Sequence, residues 1–64
     1  DRVERAEGPA ARAGIEPGDA ILRLNGKPVQ NVAQFRELVN HAGKNLALLV
    51  QRGERRLYVP IRLS

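Results

Sequence analysis

The spacing of apolar positions changes twice along this chain, and each change marks an element. Residues 20–24, Ala-Ile-Leu-Arg-Leu, form a short apolar run bounded by turn residues on both sides, as a buried strand does. From Val32 the period lengthens: Val32, Phe35, Leu38 and Val39 fall at i, i+3, i+6 and i+7, one broad stripe at helical spacing. Asn31 is a good N-cap for this helix, which is predicted to run to about His41, and Gly43 supplies its stop. The period then shortens to two. Residues 45–51 are a strand rich in Leu and Val, and Arg52-Gly53-Glu54 reverses the chain into residues 55–63. There Leu57, Val59, Ile61 and Leu63 alternate with Arg56, Tyr58, Pro60 and Arg62, so one face is core and the other wet. Pro60 lacks an N–H, which places it on a sheet edge or turns its nitrogen outward.

The first third of the chain is punctuated by turns. Residues 3–6 are predicted as the tail of a strand, broken by Gly8-Pro9 before a short helical turn over residues 10–13 that Gly14 ends as a left-handed cap. Pro17-Gly18 fits a tight turn, with proline presetting φ and glycine taking φ > 0. Asn25-Gly26 reverses the chain again, and residues 27–29 add a brief strand. The order strand, short helix, strand, helix, strand, strand predicts an α+β fold, a small, partly open β-barrel or sandwich carrying two helices. Residues 1–64 read as a single domain with no internal repeat.

Sixty-four residues can bury only about 60% of the surface exposed on unfolding, so stability is expected to be marginal. There is no cysteine to form a disulfide, and His41 is the only histidine, which leaves neither a metal centre nor a cofactor site to propose. No apolar run approaches the roughly 18 residues of a membrane span, so no membrane insertion is expected and the chain reads as a soluble module cut from a longer protein. Eleven Lys and Arg against seven Asp and Glu leave a net charge of +4, dispersed along the sequence. The densest cluster, Arg52, Arg55 and Arg56, reads as a solvated hairpin tip. Phe35 and Tyr58 are the only aromatics, too few for a nucleic-acid stacking platform, so nucleic acid is not expected as a partner.

Catalytic chemistry finds no support. The only serine is Ser64, at a terminus where a nucleophile is rarely held rigidly, and a triad of Ser64, His41 and Asp19 has nothing else in its favour. His41 suits a helix end, where its cation favours the dipole. Asp19 suits a turn, accepting backbone N–H bonds. The spacing of Gly8, Gly14, Gly18 and Gly26 lacks the Lys-Ser/Thr ending of a phosphate-binding loop.

The block Ala13-Gly14-Ile15-Glu16-Pro17-Gly18-Asp19-Ala20-Ile21-Leu22-Arg23-Leu24-Asn25-Gly26-Lys27-Pro28-Val29 resembles, without a gap, the central motif of bacterial PDZ domains. Gly8-Pro9-Ala10-Ala11-Arg12-Ala13-Gly14 and Leu48-Leu49-Val50-Gln51-Arg52-Gly53 are similar to flanking segments of the Do-like (HtrA) serine proteases of the bacterial envelope, so the resemblance covers nearly the whole chain. It implies a peptide-binding module of a periplasmic serine endoprotease for protein quality control. One or two such domains there follow a trypsin-like protease domain, capture substrate C-termini or exposed apolar segments, and contact other protease subunits or domains. Binding in this family is by β-augmentation beside the main helix. The resemblance assigns the helix wall of the groove to Val32, Arg36 and Val39, while Phe35 and Leu38 turn toward the core. Valines suit apolar side chains on the peptide, and Arg36 suits an acidic residue upstream of its end. It also implies that the groove strand and the carboxylate-binding loop precede residues 3–6 and are missing from this N-terminally truncated piece, so weak or absent peptide binding is expected of it. PDZ domains also occur in site-2 metalloproteases, C-terminal processing proteases and secretion components. A structural assembly module without peptide binding is the remaining alternative.

Overall fold

The computed structural model describes residues 2–63. Its elements are α1 (Gly8–Ala13), β1 (Ala20–Leu24), β2 (Lys27–Pro28), α2 (Val32–His41), β3 (Asn45–Arg52) and β4 (Arg55–Arg62). The four strands form one antiparallel sheet in the order β2-β1-β3-β4. Two-residue turns join β1 to β2 through Asn25-Gly26 and β3 to β4 through Gly53-Glu54, so Arg52 is not in the reversal but pairs with Arg55 as the last rung of the ladder. Asn25 (φ 49°) and Gly26 (φ 82°) both take left-handed backbone, the combination whose twist matches the strands it joins.

The inner face of the sheet holds Ile21 and Leu24 of β1, Leu46, Leu48 and Val50 of β3, and Val59 and Ile61 of β4, all buried. Ile15 and Val29 complete that core. Ile21 and Leu24 are three apart, a spacing that straight alternation forbids. A bulge between Ile21 and Arg23 reconciles them: Ile21 pairs with Val50 and Arg23 with Leu49, leaving Leu22 unpaired on β3 and returning Leu24 to the core.

α2 begins where Asn31 predicts, with the Asn31 side chain accepting the Gln34 N–H at 2.8 Å. In return Gln34 Oε1 accepts the Gln30 N–H at 2.7 Å, which satisfies a second donor at this helix start. Phe35, Leu38, Val39 and Ala42 pack against the core, yet no residue of α2 is fully buried. The helix lies over the sheet with one flank open.

Two expectations for the first third need correction. Residues 3–6 are not a strand: among the described residues the chain here makes one bridge, between Arg2 and Ala20 just before the segment, and Val3 exchanges bonds with Asp19 (2.8 Å) and Gly18 (2.7 Å) before the chain leaves the sheet. Gly8-Pro9 opens α1 instead of preceding it, because proline in the first helical turn removes an N–H that has no intrahelical acceptor there. Gly14 (φ 101°) caps α1 in the left-handed conformation, donating to the Ala10 and Ala11 carbonyls.

The phase of the β3–β4 ladder accounts for Pro60. Leu63 N–H donates to Lys44 O at 2.7 Å, so hydrogen-bonded pairing falls on the odd-numbered residues of β4. The even-numbered ones, Pro60 among them, direct their backbone groups away from β3. β4 is the edge of this sheet, and Pro60 removes a donor from that edge.

Candidate functional site

Beside α2 the inner face of the sheet is open to an apolar cleft of about 310 Å³. Its floor is Ile21, Leu46, Leu48 and Ile61. Phe35 and Val39 of α2 form one wall, and Pro9 and Ala10 of α1 with Ile15 form the other. Charge enters only at the rim, through Arg5 and Glu7, which pair with each other. Such a cleft exposes apolar side chains around the core, so it favours an apolar occupant.

Of the three residues assigned to a helix wall, Val39 lines the cleft. Val32 stands one flank along the same helical stripe with 47% of its surface exposed, and Arg36 is exposed between them. Phe35 and Leu38 both pack on the core, on different flanks. Phe35 faces the cleft, whereas Leu38 borders a smaller hollow of about 230 Å³ with Leu24, Asn25 and His41.

Next to the cleft, under the turn that leads into β1, lies an ion-pair cluster. Asp19 is 1% exposed, and its carboxylate takes three donors: Arg52 Nε at 2.9 Å on Oδ1, Arg52 Nη2 at 2.8 Å on Oδ2, and the Glu16 N–H at 2.9 Å on Oδ2. Asp19 N–H donates back to Glu16 O at 3.1 Å, closing the Pro17-Gly18 turn. The Arg52 guanidinium, its side chain 32% exposed, also donates to Gly14 O at 2.9 Å and approaches Glu16 Oε2 at 3.2 Å. The bidentate bond from Arg52 holds the Asp19 carboxyl below the usual carboxylate range, against the upward push of burial and with added help from the Glu16 amide. Asp19 thus accepts backbone bonds in the turn as expected. Arg52 is not part of a solvated tip, which consists of Arg55 and Arg56 alone. Its 33-residue separation from Asp19 carries no local signal that parts it from its cationic neighbours.

Asp19 is therefore committed to structure. His41 lies on α2, its Nδ1 2.8 Å from the Glu37 carbonyl oxygen. Ser64, the third member of the paper triad, lies outside the described residues. Among the described residues no group of His, Asp and Glu is placed to hold a metal ion.

Comparison with known proteins agrees with this fold. A family model described as a PDZ domain matches residues 2–52. The periplasmic serine endoprotease DegP of Salmonella typhimurium is 38% identical over 55 residues, which cover 86% of this chain and 12% of that protein. A DegP-like periplasmic serine endoprotease of Hahella chejuensis is 42% identical over 59 residues, 89% of this chain and 13% of the relative. A protein of Nostoc sp. named as a zinc metalloprotease is 39% identical over 57 residues, 81% of this chain and 16% of that one. The chain belongs to the PDZ domain family, a class of protein-interaction modules, and resembles those of Do-like proteases. It spans less than a sixth of the length of the first two relatives.

Proposed function

We propose that this chain is the polypeptide-recognition module of a Do-like serine endoprotease of the periplasm, where it steers protease activity in protein quality control. The observation that carries the reading is the open apolar cleft between α2 and the inner face of the sheet. Its occupant is an extended segment or C-terminus of a substrate polypeptide, laid along α2. Val39 contacts its apolar side chains and Val32 extends that wall. Arg36 selects a carboxylate upstream of the peptide's end. An extended segment suits the site because its alternate side chains can enter the apolar cleft, which supplies the choice of occupant. A metalloprotease parent is the second reading, favoured by the likeness to the Nostoc protein. Flanking sequence decides between them: a G-D/N-S-G-G block marks the serine enzymes and an H-E-x-x-H segment the metalloproteases.

The test is an NMR amide-shift titration with a peptide ending in an apolar residue, run with its terminus free and amidated. Shifts along residues 32–39 that vanish on amidation establish carboxyl-terminal recognition. Shifts that survive amidation establish capture of an extended segment instead. A folded spectrum that neither peptide moves overturns both and leaves an assembly module.

A further inference from the structure

The outward face of the sheet has no part in the cleft, and its composition is unusual for a solvated surface. Tyr58 stands there 78% exposed. It is paired across the ladder with half-buried Leu49, which is paired in turn with Arg23. The β1 bulge is what turns Arg23 outward. On β4, Arg56 and Arg62 flank Tyr58 and Pro60 on the same face, since alternate residues of a strand share one side. Aromatic, apolar and guanidinium groups are therefore contiguous. Among the described residues, none of the outward positions on β1, β3 or β4 is acidic. Glu4, Glu7, Glu16 and Asp19 precede β1, Glu37 is on α2, and Glu54 is in the hairpin turn.

We propose that this face docks an acidic protein surface, one presenting carboxylates around an apolar centre. Tyr and Arg are the residues that concentrate binding energy at protein interfaces, and carboxylates pair bidentately with guanidinium. Two of the three arginines are already oriented: Arg23 Nη1 donates to Gly26 O at 3.0 Å and Arg56 Nε donates to Gln51 Oε1 at 3.1 Å. Each keeps further N–H donors for a partner, and less side-chain entropy is lost on docking. Charge complementarity selects an acidic partner. A nucleic acid fits less well, because a single aromatic cannot stack successive bases. Arg56 and Arg62, six residues apart on one strand, also bracket a patch of about 20 Å instead of tracking a phosphate backbone. Docking is through the face and not by strand addition, because Pro60 interrupts the row of donors on the β4 edge. The patch measures roughly 20 Å by 10 Å, about a quarter of the ~800 Å² that each partner contributes to a standard interface, so the contact is weak and salt-sensitive.

The test is an amide-shift titration of the chain at low ionic strength with a terminally blocked peptide carrying glutamates around a Phe-Leu pair. Blocked termini separate this face from carboxyl-terminal capture by the cleft. The expected shifts fall on Arg23, Leu49, Arg56, Tyr58 and Arg62, and they shrink with added salt. Arg56→Glu/Arg62→Glu weakens binding by roughly tenfold or more, and Tyr58→Ala weakens it as well. A neutral Arg56→Gln/Arg62→Gln chain with a dispersed spectrum serves as the fold-preserving control and loses affinity in the same sense. Absence of shifts overturns the proposal, as do shifts confined to α2 or insensitive to charge reversal. Tighter binding of a single-stranded oligonucleotide or of anionic phospholipid vesicles to the same residues also overturns it.

Discussion

At the residue scale, Asp19 ties the turn before β1 to Arg52 at the end of β3. A buried carboxylate is costly unless every lone pair facing the interior is matched, and here one guanidinium and one amide match it. Arg52→Met leaves that carboxylate buried without its cation, so the denaturation midpoint of the variant is expected to fall well below that of the parent chain. Arg52→Lys is expected to restore little of it, because an ammonium cannot reproduce the bidentate fork. Urea titrations followed by circular dichroism check both. The same pair sets a pH dependence. A carboxyl with a depressed pKa in the folded state contributes stability that is fully present above its unfolded value, about 4, and is lost as pH falls through the folded value. The parent chain therefore loses stability on acidification below about pH 4 more steeply than Asp19→Asn, and a urea series across that range shows it. Gly14 offers a separate test. A Cβ there meets open space, so the cost of Gly14→Ala comes from left-handed backbone alone, about 1 kcal/mol.

At the element scale, the strands carry the stability and the helices carry the site. β3 is flanked by β1 and β4 and supplies three of the buried residues, whereas α2 buries none completely. The Asn31 cap matters more for such a helix than for one locked into a core. Asn31→Ala is expected to cost about 1 kcal/mol, with the loss of amide protection concentrated in α2. β4 is an edge strand whose outward donors are interrupted at Pro60. Pro60→Val restores the donor and raises β-propensity, so concentration-dependent self-association is expected in light scattering where the parent chain shows less. The strands were legible in the sequence because their apolar spacing has a period of two and their turns carry Asn-Gly and Gly-Glu. Residues 3–6 were not, since a strand exists only where a neighbouring strand accepts its hydrogen bonds, and local composition does not report that.

At the scale of the whole molecule, extents of 29 × 24 × 18 Å leave little depth for a core, and the cleft takes part of what there is. An apolar occupant of that cleft therefore does two things together: it binds, and it covers core side chains that water otherwise reaches. Ligand binding to the folded state alone raises stability by about 2.7 kcal/mol at a hundred times the Kd, so a peptide that fills the cleft is expected to raise the melting temperature in proportion to the logarithm of its concentration. Val39→Asp places a charge on the cleft wall and is expected to abolish that shift. Arg36→Ala, on an exposed position, is expected to shift the melting temperature of the free chain by no more than about 4 °C while reducing preference for an acidic peptide.

The sequence by itself determined the elements from β1 onward, the capped helix over Val32–His41, the alternating face of β4 and the family to which these belong, because each depends on spacing within about ten residues. Local periods and turn chemistry are set by backbone geometry and survive without tertiary context. Only the tertiary structure decided that Arg52 leaves its cationic neighbours to clasp Asp19, that a bulge returns Leu24 to the core, and that Phe35 and Val39 stand over an open floor. Those outcomes join residues distant along the chain, and their energies come from burial and pairing that exist only once the sheet has formed.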